Sequence, residues 1–309
     1  MKTLVQTNNK LTLAALPVLF KKALSHLSHN DPLRMAGATA FFTSFALPFI
    51  LILLIQLLEL LINPVKLRHE LFADLSGIVG RQSTRQVVTT LIAFRELAHN
   101  GWITAFGFLF LLLVATTLLM VMKGSINQLW RIKTGKGQSF GKRLRTRLQS
   151  VLIILATGIL ILLSIVAETV KAQMGKAFEM ILPSVAHYIN SIFNYVLSLL
   201  FVALWFGVIF RLLPDARPPW KVTIGGAFVT AVLFSIGKHV LRLLLINSNI
   251  GNLYGASASI VLILLFVFYS SLILYFGAAF THVWSGYLQQ PIKPLPYALH
   301  YEVKDIKEA

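Results

Sequence analysis

Residues 123–147 carry Lys123, Arg131, Lys133, Lys136, Lys142, Arg143, Arg145 and Arg147 with no Asp or Glu among them, and apolar runs at 103–122 and 148–167 stand on either side. Moving a short loop of that charge across a bilayer during insertion is unfavourable, so it stays cytoplasmic and orients every neighbouring segment. Runs of about 20 apolar residues are what a transmembrane helix requires. This pattern restricts the chain to a multi-pass membrane architecture.

Composition supports that restriction. The 309 residues are 56% hydrophobic and only 13% charged, whereas soluble domains have about 45–50% apolar and about 25% charged residues. The surplus is too large for one water-soluble core, so lipid must be part of the solvent. A formal charge of +17 would point to nucleic acid in a soluble protein. Here it follows from basic loops beside anionic headgroups, and no nucleic-acid partner is expected. The absence of cysteine excludes disulfides, thiolate metal sites and iron–sulfur clusters.

Read in order, the sequence predicts an all-α integral membrane protein of about six spans with additional amphipathic interfacial helices. Residues 1–30 form a cytoplasmic amphipathic segment. Lys21 and Lys22 follow its apolar run and no cleavage pattern is present, so it reads as an interfacial helix interrupted near Pro17 rather than a leader. Asp31-Pro32 is a helix start signal. A single membrane domain at 31–285 then holds spans at about 33–62, 103–122, 148–167, 192–213, 222–246 and 256–283. Pro48 kinks the first, and two amphipathic helices on the outer face account for the polar stretch at 65–102. Residues 286–309, with Pro291, Pro294 and Pro296, read as a polar, partly disordered cytoplasmic tail. With both termini inside, nineteen Lys and Arg fall on inner segments and seven on outer ones, the sign that insertion favours.

The remaining two of the 28 cations lie deep within a span. Lys238 and Arg242 lie four residues apart, on one face of the fifth helix. At ~1.5 Å per residue they sit about 25 and 30 Å from Lys221, in the outer part of the bilayer. Intramembrane cations are costly and are functional candidates by default, and here they suit a phosphate-bearing headgroup. Snorkelling to the outer interface is an equal alternative. The loop that follows, with Asn247, Asn249, Asn252, Tyr254 and Gly255, has backbone donors at a helix start that suit an anion. On turn chemistry alone a surface turn is the stronger reading. Asn127, Trp130 and Arg131 form an interface anchor gripping Pro214-Asp215, with Arg131 or Arg211 as the partner of Asp215 and Trp220 at the interface. Glu59 faces the outer interface or meets Lys238 or Arg242. Small residues such as Gly225, Gly226, Gly277 and Ala278 mark close helix packing.

Enzyme signatures are missing. Gly137, Gly141 and Lys142 have the wrong spacing for a phosphate loop, and His26 and His29 lack the further ligands that a metal would need. Neither a catalytic residue nor a cofactor is expected, and the 11 scattered acids form no two-metal cluster.

Four blocks carry a family resemblance. They are Ala36-Gly37-Ala38-Thr39-Ala40-Phe41-Phe42 with Pro48; Ser125-Ile126-Asn127-Gln128-Leu129-Trp130-Arg131; Phe210-Arg211-Leu212-Leu213-Pro214-Asp215 with Trp220 and Gly225-Gly226-Ala227; and Tyr254-Gly255-Ala256 with Tyr269 and Gly277-Ala278. In order and spacing they resemble the YihY/BrkB family of bacterial inner-membrane proteins over roughly residues 20–285. The resemblance implies an all-helical inner-membrane protein. Some members are tied to envelope lipid export or serum resistance, and an older ribonuclease label persists. The acidic residue common after the last Gly-Ala is replaced here by Ala279 and Phe280, so no role for that carboxylate transfers.

Together these readings predict a transporter or flippase-like exporter of an anionic envelope lipid or amphiphile. Its partners are membrane lipids, and a homo-oligomer is compatible with the sequence. The alternative is a structural or scaffolding membrane protein whose basic loop binds anionic lipid.

Overall fold

The computed structural model describes residues 15–59, 84–85, 88–89, 101–134, 152–153, 155–164, 167, 183–246 and 258–302. Six long helices appear among them: α1 (Leu16–Ser28), α2 (Pro32–Glu59), α3 (Gly101–Leu129), α4 (Pro183–Leu212), α5 (Trp220–Ile246) and α6 (Ala258–Tyr287). Four short strands gather at one end, β1 (Ile132–Thr134), β2 (Ala216–Arg217), β3 (Lys293–Pro294) and β4 (Ala298–His300). A short apolar helix, Leu155–Ser164, lies within the third predicted span.

Among the described residues three stretches are long and apolar enough to cross a membrane: Ile192–Leu212, Trp220–Leu241 and Ile260–Tyr287. Their large apolar side chains are only partly used for packing. Ile192, Val196, Leu200 and Leu204 recur at helical spacing on α4 and all are exposed. An outward apolar stripe of this kind suits hydrocarbon.

The central element is α6, with α1, α2, α3 and α5 all packed against it. Its seam with α5 is built on a repeated small-residue device. Thr230 Oγ1 donates to the Gly226 carbonyl, and Thr281 Oγ1 donates to the Gly277 carbonyl. A methyl group on Gly226 would run into Thr281, and one on Gly277 would run into Thr230. Each helix therefore offers a glycine to its neighbour's threonine, and each threonine satisfies its hydroxyl on its own backbone. Further along, a side chain on Gly237 would begin 2.5 Å from Tyr269 Cε1. Gly277 thus lies against Thr230 of α5.

Pro17 starts α1 rather than interrupting it. It lies in the first turn, where the missing N–H loses no bond. Leu19, Ala23 and Leu27 are buried at i, i+4 and i+8, while Val18, Lys21, Lys22 and Leu24 face outward. Phe20 packs on Phe276 and Phe280 of α6 with centroids 5.5 and 5.3 Å apart. On α2, Pro48 lies within a continuous helix. Glu59 is that helix's last residue, and its side chain lies outside the described residues.

At the other extreme of the chain, the described part of the tail, residues 286–302, forms defined structure. β4 pairs antiparallel with β1, and β3 with β2. The expected disorder fails there because Ile292 and Ala298, spaced among the prolines, bury their side chains in the main core. Proline is tolerated because these are two-stranded ribbons in which every strand is an edge.

Replacing Gly226 by Ala should overpack the seam and cost about 1–3 kcal/mol. Thermal denaturation in detergent would read this, and adding Thr281→Ala should recover part of the loss.

Candidate functional site

The α4–α5 turn, the end of α3 and the tail converge on one carboxylate. Asp215 is 2% exposed, and every polar group it carries is met. Lys123 Nζ lies 2.7 Å from Oδ1, and Tyr297 donates its hydroxyl to the same oxygen at 2.9 Å. Asn127 Nδ2 donates to Oδ2 at 2.8 Å, while the Asp215 amide donates to Asn127 Oδ1 at 2.9 Å. The Asp215 carbonyl accepts from the Leu295 amide at 2.9 Å. A buried charge persists only when paired and hydrogen-bonded in this way.

The local sequence explains the convergence. Lys123 and Asn127 are one turn apart on α3, so both project from one face. Leu213 and Pro214 are buried and carry the chain straight from α4 into the turn, placing Asp215 beneath that face. Neither expected arginine is its partner. Arg211 donates to the Pro218 carbonyl and stacks over the Trp220 ring at 4.7 Å. Arg131 sits in a left-handed conformation with φ 56°. It turns the chain from α3 into β1, and its carbonyl accepts from the Tyr301 amide. Lysine prevails because the carboxylate is buried under α3. Of the cations near the turn, Lys123 alone shares the face that already presents Asn127.

Trp130 is also corrected. Instead of anchoring at the interface it is fully buried, and its indole N–H donates to the Ala278 carbonyl at 2.9 Å. Trp220, by contrast, is 65% exposed. Deeper in the bundle the buried Tyr275 hydroxyl meets Thr39 and Ser125, so α2, α3 and α6 share a second polar contact. Sequence reasoning missed Lys123, Tyr275 and Tyr297. The i, i+4 spacing of Lys123 and Asn127 was the one available signal for the first.

Of the expected ligand residues, Lys238 is half-buried on α5, beside Gly237 and the Tyr269 contact. Arg242 belongs to the α5 backbone, but its side chain lies outside the described residues, as do Asn247, Asn249, Asn252, Tyr254 and Gly255. No group of His, Asp or Glu able to hold a metal occurs among the described residues.

Residues 23–296 match the family described as Virulence factor BrkB. The UPF0761 membrane protein YihY of Salmonella typhimurium is 25% identical over 224 residues, covering 70% of this chain and 69% of that protein. UPF0761 membrane proteins of Enterobacter sp. (strain 638) and Citrobacter koseri are each 26% identical over 222 residues, covering 70% of this chain and 69% of theirs. No solved structure matches this chain.

Truncating Lys123 to Met leaves the Asp215 carboxylate buried without its cation and should destabilise the protein by about 3–5 kcal/mol. Adding Asp215→Asn should restore most of that loss, because the neutral amide no longer needs a counter-charge. Tyr297→Phe removes one charge-assisted hydrogen bond, for an expected loss of about 1.5–3 kcal/mol. Denaturation midpoints of the purified variants would check all three.

Proposed function

The chain belongs to the BrkB virulence-factor family of membrane proteins, and from that premise we propose that it moves an anionic envelope lipid or amphiphile across the bacterial inner membrane. In this reading it has six spans with both termini cytoplasmic, carries out no enzymatic reaction and takes membrane lipids as its partners. The excess of Lys and Arg on the segments assigned inside supports the orientation.

The observation that carries the transport reading is Lys238. It lies within a stretch long and apolar enough to span, and it has no ion-pair partner among the described residues. An unpaired ammonium at that depth is stabilised by an anionic ligand or by reaching the interface. Arg242, one turn on, extends the same face. A phosphate-bearing headgroup entering from the outer leaflet would meet both cations and the polar loop beyond them.

A second reading has its own support. The interlocked α5–α6 seam and the clamp around Asp215 suit a rigid scaffold that binds anionic lipid without moving it. Reconstitution separates the two. Fluorescent phosphatidylglycerol should change leaflets in vesicles holding the protein, and Lys238→Gln with Arg242→Gln should abolish that movement without altering folding. Normal movement in the double variant would end the transport reading, and no movement with the unmodified protein would favour the scaffold.

A further inference from the structure

A second cluster of ionisable groups lies apart from Asp215, where α1 meets α6. The imidazoles of His26 and His282 stack with centroids 4.8 Å apart and planes inclined by 14°. His26 Nε2 lies 2.7 Å from the Leu129 carbonyl. A carbonyl only accepts, so this nitrogen carries the proton and Nδ1 of the neutral ring is bare. His282 Nδ1 is buried without a hydrogen-bond partner. The charged and titratable groups that act on the stack are His29, which caps the end of α1, Arg131 after α3 and His300 on β4. None of them is acidic. A proton added to either ring would therefore meet only other histidines and a guanidinium. Water reaches the edge of the cluster, since Arg131 and His300 are exposed and His26 is half-buried.

We propose that the His26–His282 stack is an acid-operated latch, which holds α1 against α6 when both rings are neutral and releases it when they are protonated. Stacked neutral imidazoles attract, whereas two imidazolium ions at that separation, with Arg131 beside them, repel. The attachment of α1 otherwise rests on the buried Leu19, Ala23 and Leu27 and on Phe20 against Phe276 and Phe280, a contact confined to one 13-residue helix, so losing the stack shifts the balance of a small, locally detachable element. Burial is the largest cause holding His26 below the ordinary histidine range, with Arg131 and His29 acting in the same direction and the Leu129 bond opposing them. The sign follows. The released state has the ordinary pKa and takes up the proton more readily, so the docked state is favoured above about pH 6.5 and loses ground as the pH falls below it.

The chain has no cysteine, so single-cysteine variants report without background. Ala23→Cys places a thiol on the buried face of α1, and Val18→Cys places one on its exposed face as a reference for the intrinsic effect of pH. With full-length protein in phosphatidylethanolamine–phosphatidylglycerol vesicles, maleimide labelling of Ala23→Cys relative to Val18→Cys should rise about fivefold between about pH 7.5 and 5.5. His282→Phe keeps a flat ring without a proton site, and with His26→Gln it should cut the rise to under about twofold. A ratio that does not change with pH overturns the latch, as does a rise that survives in the double variant. Should these variants fail to fold, hydrogen exchange on the unmodified protein decides. Uptake over residues 16–28, corrected for intrinsic rate, must increase in acid relative to residues 192–212, and parallel behaviour of the two segments rejects the proposal.

Discussion

A carboxylate removed from water must have its oxygens met by donors, and the end of the bundle where the loops gather is organised by that requirement at Asp215. Its partners come from α3 and from the tail, so satisfying one side chain of the α4–α5 turn ties together three parts of the chain remote in sequence. The pairing is a stronger constraint than a surface ion pair would be. Lys123 and Asp215 are 10% and 2% exposed, and neither can exchange its partner for water without opening the structure. The ribbons β1–β4 and β2–β3 follow from the same convergence. Once Tyr297 and Leu295 reach Asp215, the flanking tail residues lie alongside β1 and β2 and pair with them.

Within the bundle, shape takes over from charge. Lipid is as apolar as leucine, so helices there are held by close packing and by hydrogen bonds rather than by exclusion from water. The reciprocal glycine–threonine contacts between α5 and α6 supply the first, and Trp130 on Ala278 and Tyr275 on Thr39 supply the second. Both depend on small residues of α6 letting a neighbour approach. Burying the Trp130 indole and the Tyr275 phenol is favourable because each finds a partner. The same helix leaves Ser270 Oγ, His282 Nδ1 and Trp284 Nε1 without a partner among the described residues, and the last two fall where α1 docks.

Much of this was legible in the residue pattern, for identifiable reasons. A run of apolar side chains marks a helix in lipid because the backbone has no other way to satisfy itself there, and the helices α2, α3, α4, α5 and α6 each overlap a predicted span. Boundaries were less legible. The second predicted span stops at Met122 because Lys123 looks like the edge of the basic loop, yet α3 continues to Leu129. A lysine that finds a buried carboxylate no longer needs water. Trp130 misled for a related reason. Indole is equally at home at an interface or against a buried carbonyl, and composition does not separate the two.

What the sequence determined by itself is the solvent, the helical class and the family: hydropathy, periodicity and the order of four short blocks are properties of the chain read in one dimension. What only the tertiary structure decided is which charged group meets which. Asp215 has Arg131, Arg211, Arg217 and Lys123 within reach of a plausible turn, and choosing among them requires knowing which helix face lies above it. The ordered tail and the histidine stack belong to the same class. Each joins residues remote in sequence, and such contacts are set by how the helices pack, not by any local preference of the residues that make them.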